Sequence, residues 1–254
     1  MINVISLDFD FWLEMPQFEN FDWAFREAPF FLNQVWFIRA MDALTRGCDL
    51  RVTCTLPNDE PKPRELTDVL AHHKIRINKS SLGISESHGF AYTSFSEFDD
   101  MHIIHIDAHH DMGYDPRELN CDNWLMELVK EGKVSKITMV YPKWRLRQIN
   151  EWDMYGDKIR QSLDELGVEI EVGYGLECLP SDLDIKRVFL AHSGAWVPPW
   201  LDTYFRDLLS QLIIGVDSRG SGSVMLFGEI SIDRMTDRDL DWDEIQKAAD
   251  ECRE

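Results

Sequence analysis

The sequence predicts an α/β protein of three layers, with helices on both faces of a mostly parallel sheet. Short apolar runs alternate with longer amphipathic stretches along the chain, which is typical of repeated βαβ units. Proline marks turns between them, as in Pro57–Pro61 and Pro198-Pro199. The 254 residues, 44% of them apolar, are enough for one large core, and no linker is long enough to mark a boundary. We therefore expect residues 1–254 to form a single domain.

Each predicted element follows from its length and periodicity. The predicted strands are Ile2–Asp8, Leu50–Leu56, His102–Asp107, Lys136–Val140, Val168–Val172 and Arg187–Ala191, with Ile213–Val216 and Val224–Phe227 as weaker candidates. The predicted helices are Asn33–Arg46, Pro63–His72, Asn123–Glu131, Gly156–Leu166, Trp200–Gln211 and Asp241–Arg253. The aromatic and acidic stretch Glu14–Pro29 has no clean period, which suits a loop that folds over a site.

Composition narrows the function classes. Acidic residues outnumber basic ones by 46 to 26, giving a net charge of −20. This balance argues against a nucleic-acid partner, which needs clustered Lys and Arg. It suits a cationic substrate or a basic peptide, although plain solubility explains the charge at least as well. The five cysteines are scattered and predict neither a disulfide framework nor a zinc knuckle. No apolar run is long enough for a membrane span, so we expect a cytoplasmic protein; a homo-oligomer is compatible with the sequence.

The strongest chemical signal is the run His102–Asp111. Asp107, His109 and Asp111 are spaced by two at the end of a predicted strand, so in an extended chain their side chains share one side. Open α/β sheets place their active sites at the carboxyl ends of strands. Two carboxylates and an imidazole are therefore predicted to converge there.

A second cluster follows the first predicted strand. Asp8 and Asp10 share one side of the chain after the apolar run Ile2–Leu7. A buried carboxylate is costly unless it is paired or binds metal, so two such strand ends imply a cation between them. Carboxylate and imidazole ligands without thiolate favour manganese, ahead of iron, cobalt or zinc. The alternative is a set of solvated aspartates that cap a strand or start a turn.

These residues resemble those of a known family. Asp107-Ala108-His109-His110-Asp111 resembles the Asp-Ala-His-x-Asp motif of the ureohydrolases, the arginase and agmatinase group, and Asp8-Phe9-Asp10 resembles their Asp-x-Asp motif. Ser87-His88-Gly89 stands where the family has its upstream histidine. The resemblance implies an arginase-like fold and two manganese ions. One ion would be held by His88, Asp107, Asp111 and Asp8, the other by Asp107, His109, Asp8 and Asp10.

The motif order departs from that of the arginases. Asp-x-Asp comes first here, as in a circularly permuted chain, and Ser85–His88 replaces Gly-Gly-Asp-His. The pattern is most similar to the divergent peptide arginases, which convert arginine to ornithine in ribosomally made peptides. The segments Leu7–Trp12, His105–Asp111 and Ser193–Trp200 carry this likeness. It implies hydrolysis of a peptide's guanidinium group, releasing urea.

The resemblance also suggests roles for further residues. A water shared by two divalent ions becomes acidic enough to supply hydroxide near neutral pH, and Asp111 is placed to relay a proton. His192, or else His110, would protonate the leaving amine, although a core or surface histidine is the commoner case. Asp59 and Glu60 are candidates for binding the guanidinium, or they belong to a plain surface turn. The aromatic segments Phe18–Phe31 and Trp196–Trp200 suit either a peptide groove or core packing.

Three other functions compete with the peptide arginase. The first is a ureohydrolase acting on arginine, agmatine or a guanidino acid. The second is a lysine or polyamine deacetylase with a single zinc, which Asp10 and Asp111 together disfavour. The third is a binding protein that keeps the metal site as a structural element.

Overall fold

A parallel sheet with helices on both faces forms the centre of the molecule. The computed structural model describes residues 1–14, 32–77, 79–113, 118–147, 151–217, 222–228 and 238–253, without the side chains of residues 151–155. The strands are β1 (Ile2–Asp8), β2 (Ser81–Ser85), β3 (Met101–Ile106), β4 (Val134–Tyr141), β5 (Glu169–Tyr174), β6 (Ile185–Ala191) and β7 (Ser223–Leu226). All pairings are parallel, in the order β5-β4-β3-β1-β6-β2-β7.

Helices connect the strands. They are α1 (Leu32–Thr45), α2 (Leu50–Thr53), α3 (Leu66–His72), α4 (Phe90–Phe95), α5 (Trp124–Lys130), α6 (Glu151–Glu165), α7 (Asp202–Asp217) and α8 (Trp242–Glu251). Short 3-10 helices lie at Phe9–Trp12, Pro63–Glu65, Lys143–Arg147, Leu176–Cys178 and Pro199–Leu201. Among the described residues, none of these helices combines the length and the apolar character that crossing a membrane requires.

The core divides into two clusters, one on each face of the sheet. Ile5 and Leu7 of β1 belong to the first cluster, with side chains from α1, α3, α7 and α8. Val4 belongs to the second, with side chains from α4, α5 and α6. Since successive side chains of a strand point to opposite faces, helices cover both faces and the predicted three-layer α/β class is confirmed. Strands buried on both faces read as continuous apolar runs, and for that reason β1 and β3 are recognisable in the sequence.

Two predicted strands are wrong. Leu50–Leu56 begins as the helical turn α2, because the Asp49 side chain accepts a hydrogen bond from the Arg51 N–H at 2.9 Å and caps it. Ile213–Val216 is the last turn of α7. There the buried positions Leu208, Leu212 and Val216 repeat every four residues, so the helical period outweighs the strand preference of the β-branched residues.

The strand β2 and the helix α4 are absent from the prediction. The sequence of β2, Ser-Leu-Gly-Ile-Ser, lacks the aromatic and β-branched residues that mark a strand. Its Gly83 is required by packing, since a Cβ there would lie 2.9 Å from the rings of both Phe189 and Phe227. The other predicted strands and all the predicted helices are present, with ends shifted by a few residues.

The strand order gathers four strand ends. The chain passes from β1 to β2 on one side of the sheet and then crosses to β3 on the other, leaving β3, β1, β6 and β2 as successive neighbours. All four run in the same direction, so the segments that follow them meet at one edge. Ligand sites of open α/β sheets lie at such a change of direction.

Candidate metal centre

Buried histidine and aspartate side chains converge at this edge. Asp8 ends β1 and Asp10 lies in the 3-10 helix after it, while His88 follows β2. Asp107, His109 and Asp111 follow β3. The structure thus brings together all six side chains of the predicted ligand set.

The first group of potential ligands is fully buried. It consists of His88, His105, Asp107 and Asp111, whose ligand atoms lie within 4.8 Å of one another. Nδ1 of His88 is 2.9 Å from Oδ2 of Asp107 and 3.0 Å from Oδ2 of Asp111. Four nitrogen and oxygen donors around one point can hold a divalent metal ion.

The second group lies beside the first and shares Asp107 with it. Asp10, Asp107 and His109 have ligand atoms within 4.8 Å of one another. Nδ1 of His109 is 3.0 Å from Oδ2 of Asp10 and 3.6 Å from Oδ1 of Asp107. Asp107 therefore turns Oδ2 toward the first group and Oδ1 toward the second.

Asp8 belongs to neither of these groups but contacts His88 of the first. Its Oδ2 is 3.1 Å from Nδ1 of His88 and accepts a hydrogen bond from the Ser193 hydroxyl at 2.5 Å. Its Oδ1 accepts the backbone N–H of Asp10 at 3.0 Å. Asp8 is thus oriented from β6 as well as from its own strand.

Three polar atoms of the cluster are buried without a hydrogen-bond partner among the described residues: Nδ1 of His88, Nδ1 of His105 and Oδ2 of Asp107. Buried polar atoms are rarely left unpaired, and those of His88 and Asp107 face one another across 2.9 Å. A divalent cation with nitrogen and oxygen ligands would satisfy these two atoms, so the residues present fit a metal ion.

The carboxylates of the cluster are buried close together, and this crowding shifts the pKa values of its side chains. Burial and the neighbouring Asp107 carboxylate raise the pKa of Asp111 to about 6. Burial also raises the pKa of Asp107, with Asp10 and Asp8 adding to the effect. For His88, burial disfavours the imidazolium, but Asp111, Asp107 and Asp8 outweigh it and raise the pKa well above its usual value. The metal-free cluster thus retains protons where a cation would be more favourable.

Further hydrogen bonds orient the ligands. Nε2 of His88 lies 2.6 Å from the Ser6 hydroxyl, so the tautomer that donates to Ser6 leaves Nδ1 free to bind metal. The Trp124 indole donates to Oδ2 of Asp111 at 2.6 Å. His110, a predicted proton donor, is buried and accepts the Met112 N–H at its Nδ1, at 2.9 Å, so it is held within its own loop.

His192, the other predicted proton donor, lies in a separate buried network. Its Nδ1 is 3.0 Å from Oε2 of Glu86 and its Nε2 is 3.2 Å from Oδ1 of Asp202. Arg238 donates to Asp202 and to the carbonyls of Gly194 and Val197. The side chain of His192 is completely buried, and both ring nitrogens contact this network rather than the ligand cluster.

The two predicted guanidinium-binding acids have different surroundings. Asp59 is partly exposed and pairs with Arg147 at 2.5 Å. Glu60 is buried, its Oε1 accepts the Lys143 N–H at 2.8 Å, and its Oε2 has no hydrogen-bond partner among the described residues. Burial raises the pKa of Glu60, and the Lys143 N–H opposes this rise. Because Lys143 follows β4, the neighbour of β3, Glu60 lies at the same edge of the sheet as the cluster.

The prediction omitted two residues of this centre, His105 and Ser193. His105 reads in the sequence as one residue of an apolar strand, yet its Nε2 is 3.4 Å from Oδ2 of Asp107 and 3.2 Å from the carbonyl oxygen of His109. Its spacing of two from Asp107 was the available signal, since that spacing places both on one side of the strand. Nothing local in the sequence points to Ser193, which reaches Asp8 only through the pairing of β6 with β1.

Of the aromatic segments proposed to line a groove, Trp196–Trp200 lies in the loop after β6 and in the 3-10 helix at its end. Residues 18–31 and most of the predicted loop 14–29 lie outside the described residues. Comparisons with protein-family models, with curated proteins and with solved structures find no match to this chain.

Proposed function

We propose that this chain is a hydrolase that holds two manganese ions and converts arginine residues of a peptide to ornithine, releasing urea. The single observation that carries the proposal is the position of Asp107, which belongs to both ligand groups and turns one oxygen toward each. A carboxylate shared in this way is what a two-metal site needs. One group alone would serve a single-metal enzyme.

The donor set favours manganese. All the grouped ligand atoms are carboxylate oxygens or imidazole nitrogens, and a carboxylate-rich set without thiolate suits manganese better than zinc or copper. When bound, the ions would supply Lewis acidity and an acidic water for attack on the guanidinium carbon. The atoms balance: one water and one arginine side chain give one amine and one urea.

The protein's own residues would orient the ions and manage protons. Asp8, held by Ser193 and by the Asp10 N–H, would keep the two ligand groups at a fixed separation. Asp111, whose Oδ2 accepts the Trp124 indole N–H at 2.6 Å, is the candidate to relay a proton beside the ions. Proton delivery to the leaving amine is not assigned to His192, because Glu86 and Asp202 occupy both its ring nitrogens.

Two features support a guanidinium substrate. The net charge of −20 favours the approach of a cation. Glu60 is the candidate acceptor for a guanidinium N–H, because it is buried and its Oε2 has no hydrogen-bond partner in the described ranges. From the motif likeness we further propose that the fold is arginase-like and that its motif order is circularly permuted.

The test is urea release from manganese-loaded protein given free arginine, agmatine and an arginine-containing peptide in parallel. We expect urea from the peptide alone, and its loss in Asp107→Asn. Lys130→Gln, on an exposed turn of α5, is the matched surface control. Urea from free arginine or agmatine instead would move the assignment to the small-molecule ureohydrolases. Absence of urea with two manganese ions bound would contradict guanidinium hydrolysis, and acetyl-lysine or acetyl-polyamine substrates would be tried next.

The non-catalytic alternative makes a different prediction in the same experiment. A structural metal site would raise the thermal stability of the protein without turnover of any of these substrates. Melting temperatures with and without manganese, measured on the sample used for the urea assay, distinguish it from an enzyme whose substrate is still to be found.

A further inference from the structure

Among the described side chains of the ligand cluster, that of His109 is the most exposed to solvent. The side chains of Asp8, Asp10, His88, His105, Asp107 and Asp111 are at most 6% exposed, whereas that of His109 is 32% exposed. In the part of the chain that the structure describes, the approach from solvent to the cluster is therefore beside His109. A residue that borders the exposed side of His109 would contact an incoming molecule.

Trp196 borders His109. The centroids of the two rings are 6.1 Å apart and the ring planes are inclined by 47°. Trp196 is a partly exposed residue, unlike its buried neighbours Ala195 and Val197. The guanidinium carbon of Arg39 lies 5.6 Å from the centroid of the same indole, so this ring already packs against one guanidinium group within the fold.

The loop that carries Trp196 is held by side chains from distant elements. The Gly194 carbonyl accepts hydrogen bonds from the Trp36 indole at 2.7 Å and from Arg238 at 2.9 Å. The next carbonyl, that of Ala195, accepts from Arg39. Buried Arg and Trp side chains thus bind two consecutive carbonyls, which fixes the direction in which the following indole leaves the backbone.

Close packing at Gly194 fixes the loop further. Its N–H donates to Oε1 of Glu86 at 2.6 Å, and a Cβ built at this glycine would lie 2.1 Å from that oxygen. Any other residue there would displace Glu86. Such a rigid loop presents its aromatic ring without losing conformational entropy on binding.

We propose that Trp196 is the aromatic wall of the substrate entrance and that the substrate's guanidinium group packs against its indole beside His109. The assignment rests on the proposed function and names its specificity residue. A delocalised planar cation stacks on an indole, and such contacts favour binding by about 0.5–2 kcal/mol. The ring would select an arginine side chain over a neutral one of the same shape.

The experiment uses the full chain labelled with 5-fluorotryptophan and observed by fluorine NMR, with the Trp196 resonance assigned from Trp196→Phe. In zinc-loaded, diamagnetic protein, an arginine-containing peptide should shift this resonance. The same peptide with citrulline, a neutral isostere of arginine, should not shift it. In the urea assay, Trp196→Leu should raise KM about 3- to 30-fold and change kcat much less, and Trp196→Phe should recover part of the loss. Trp242→Phe, which alters a ring packed on Trp200, is the control.

Manganese separates a failure of this assignment from a failure of the proposed function. The paramagnetic ion should broaden the resonances of Trp196 and Trp124, which adjoin His109 and Asp111, before that of Trp242. If no resonance broadens selectively, the proposed metal site and the proposed substrate entrance are both contradicted. If broadening occurs but peptide binding leaves the Trp196 resonance in place, or Trp196→Leu lowers kcat at unchanged KM, the Trp196 assignment alone is overturned.

Discussion

The Ser193 hydroxyl donates a hydrogen bond to Oδ2 of Asp8 at 2.5 Å, across 185 positions of sequence. Ser193 adopts a left-handed backbone conformation with φ of 52°, just after β6, and Asp8 ends the neighbouring β1. The bond thus fixes one carboxylate oxygen of a candidate ligand from outside the ligand set. Such partners commonly tune metal affinity as strongly as some ligands do.

Removing this hydroxyl should therefore weaken metal binding. We expect Ser193→Ala to lower the affinity for manganese by about 10- to 100-fold with little change in fold, as measured by calorimetric titration and circular dichroism. Ser210→Ala, which removes a hydroxyl that donates to the Arg206 carbonyl of its own helix, is the control. Equal affinities for the two variants would show that Asp8 does not depend on Ser193.

The shared position of Asp107 predicts the stoichiometry of its variants. Asp107→Asn should abolish binding at both positions, because this carboxylate belongs to both ligand groups. Asp10→Asn should leave one ion in the group of His88, His105 and Asp111. Metal content of dialysed protein, measured by elemental analysis, checks both. Two ions retained in Asp107→Asn would contradict a shared ligand.

The substitution Asp107→Asn should stabilise the metal-free protein, although it weakens metal binding. Burial and the neighbouring carboxylates of Asp10 and Asp8 raise the pKa of Asp107. An uncharged side chain of equal size at this position therefore removes repulsion. We expect Asp107→Asn to melt at a higher temperature than the wild type in EDTA and at a lower one in manganese. A lower melting temperature in both conditions would mean that Asp107 stabilises the fold itself.

The sequence predicts the cluster well where all the information is local. Asp107, His109 and Asp111 follow an apolar strand and Asp8 ends another, so their place at strand ends is predictable. The expected extended spacing of two is wrong, because residues 107–109 form a bend and Asp111 has a φ of 51°. His88 came only from the family likeness, because β2 carries small residues and does not read as a strand.

Long-range packing is what local patterns cannot show. The wrong strand Leu50–Leu56 has a local cause instead, since the adjacent Asp49 caps its start as a helix. His192 lies at the end of a strand, as predicted, yet its environment depends on Asp202 and Arg238, which come from other parts of the chain. No spacing rule distinguishes a buried ion-pair network from a catalytic histidine.

Metal binding should release protons. In the metal-free protein, the carboxylates around His88 and His109 raise the pKa of both imidazoles well above the usual value, despite their burial. A metal must displace these protons, so its affinity should rise as the pH rises toward those pKa values and fall as the pH is lowered. Calorimetry at pH 7 in buffers of different ionisation enthalpy should count protons released per ion bound. No release, or tighter binding at lower pH, would contradict this electrostatic description.

The network of Glu86, His192, Asp202 and Arg238 allows a structural role to be separated from a catalytic one. The two carboxylates and the imidazole are buried, as is the Arg238 side chain. Replacing Arg238 by Met should therefore leave buried acid unpaired and lower the free energy of unfolding by about 3–5 kcal/mol. Denaturant unfolding in EDTA measures this directly, with Arg206→Met on the exposed face of α7 as the control.

His192→Gln should likewise lower stability, while in the folded fraction the pH profile of urea release keeps its shape. If His192 instead donates the proton to the leaving amine, His192→Gln will remove the fall in rate at alkaline pH. Added imidazole, or a protonated amine, will then restore part of the rate.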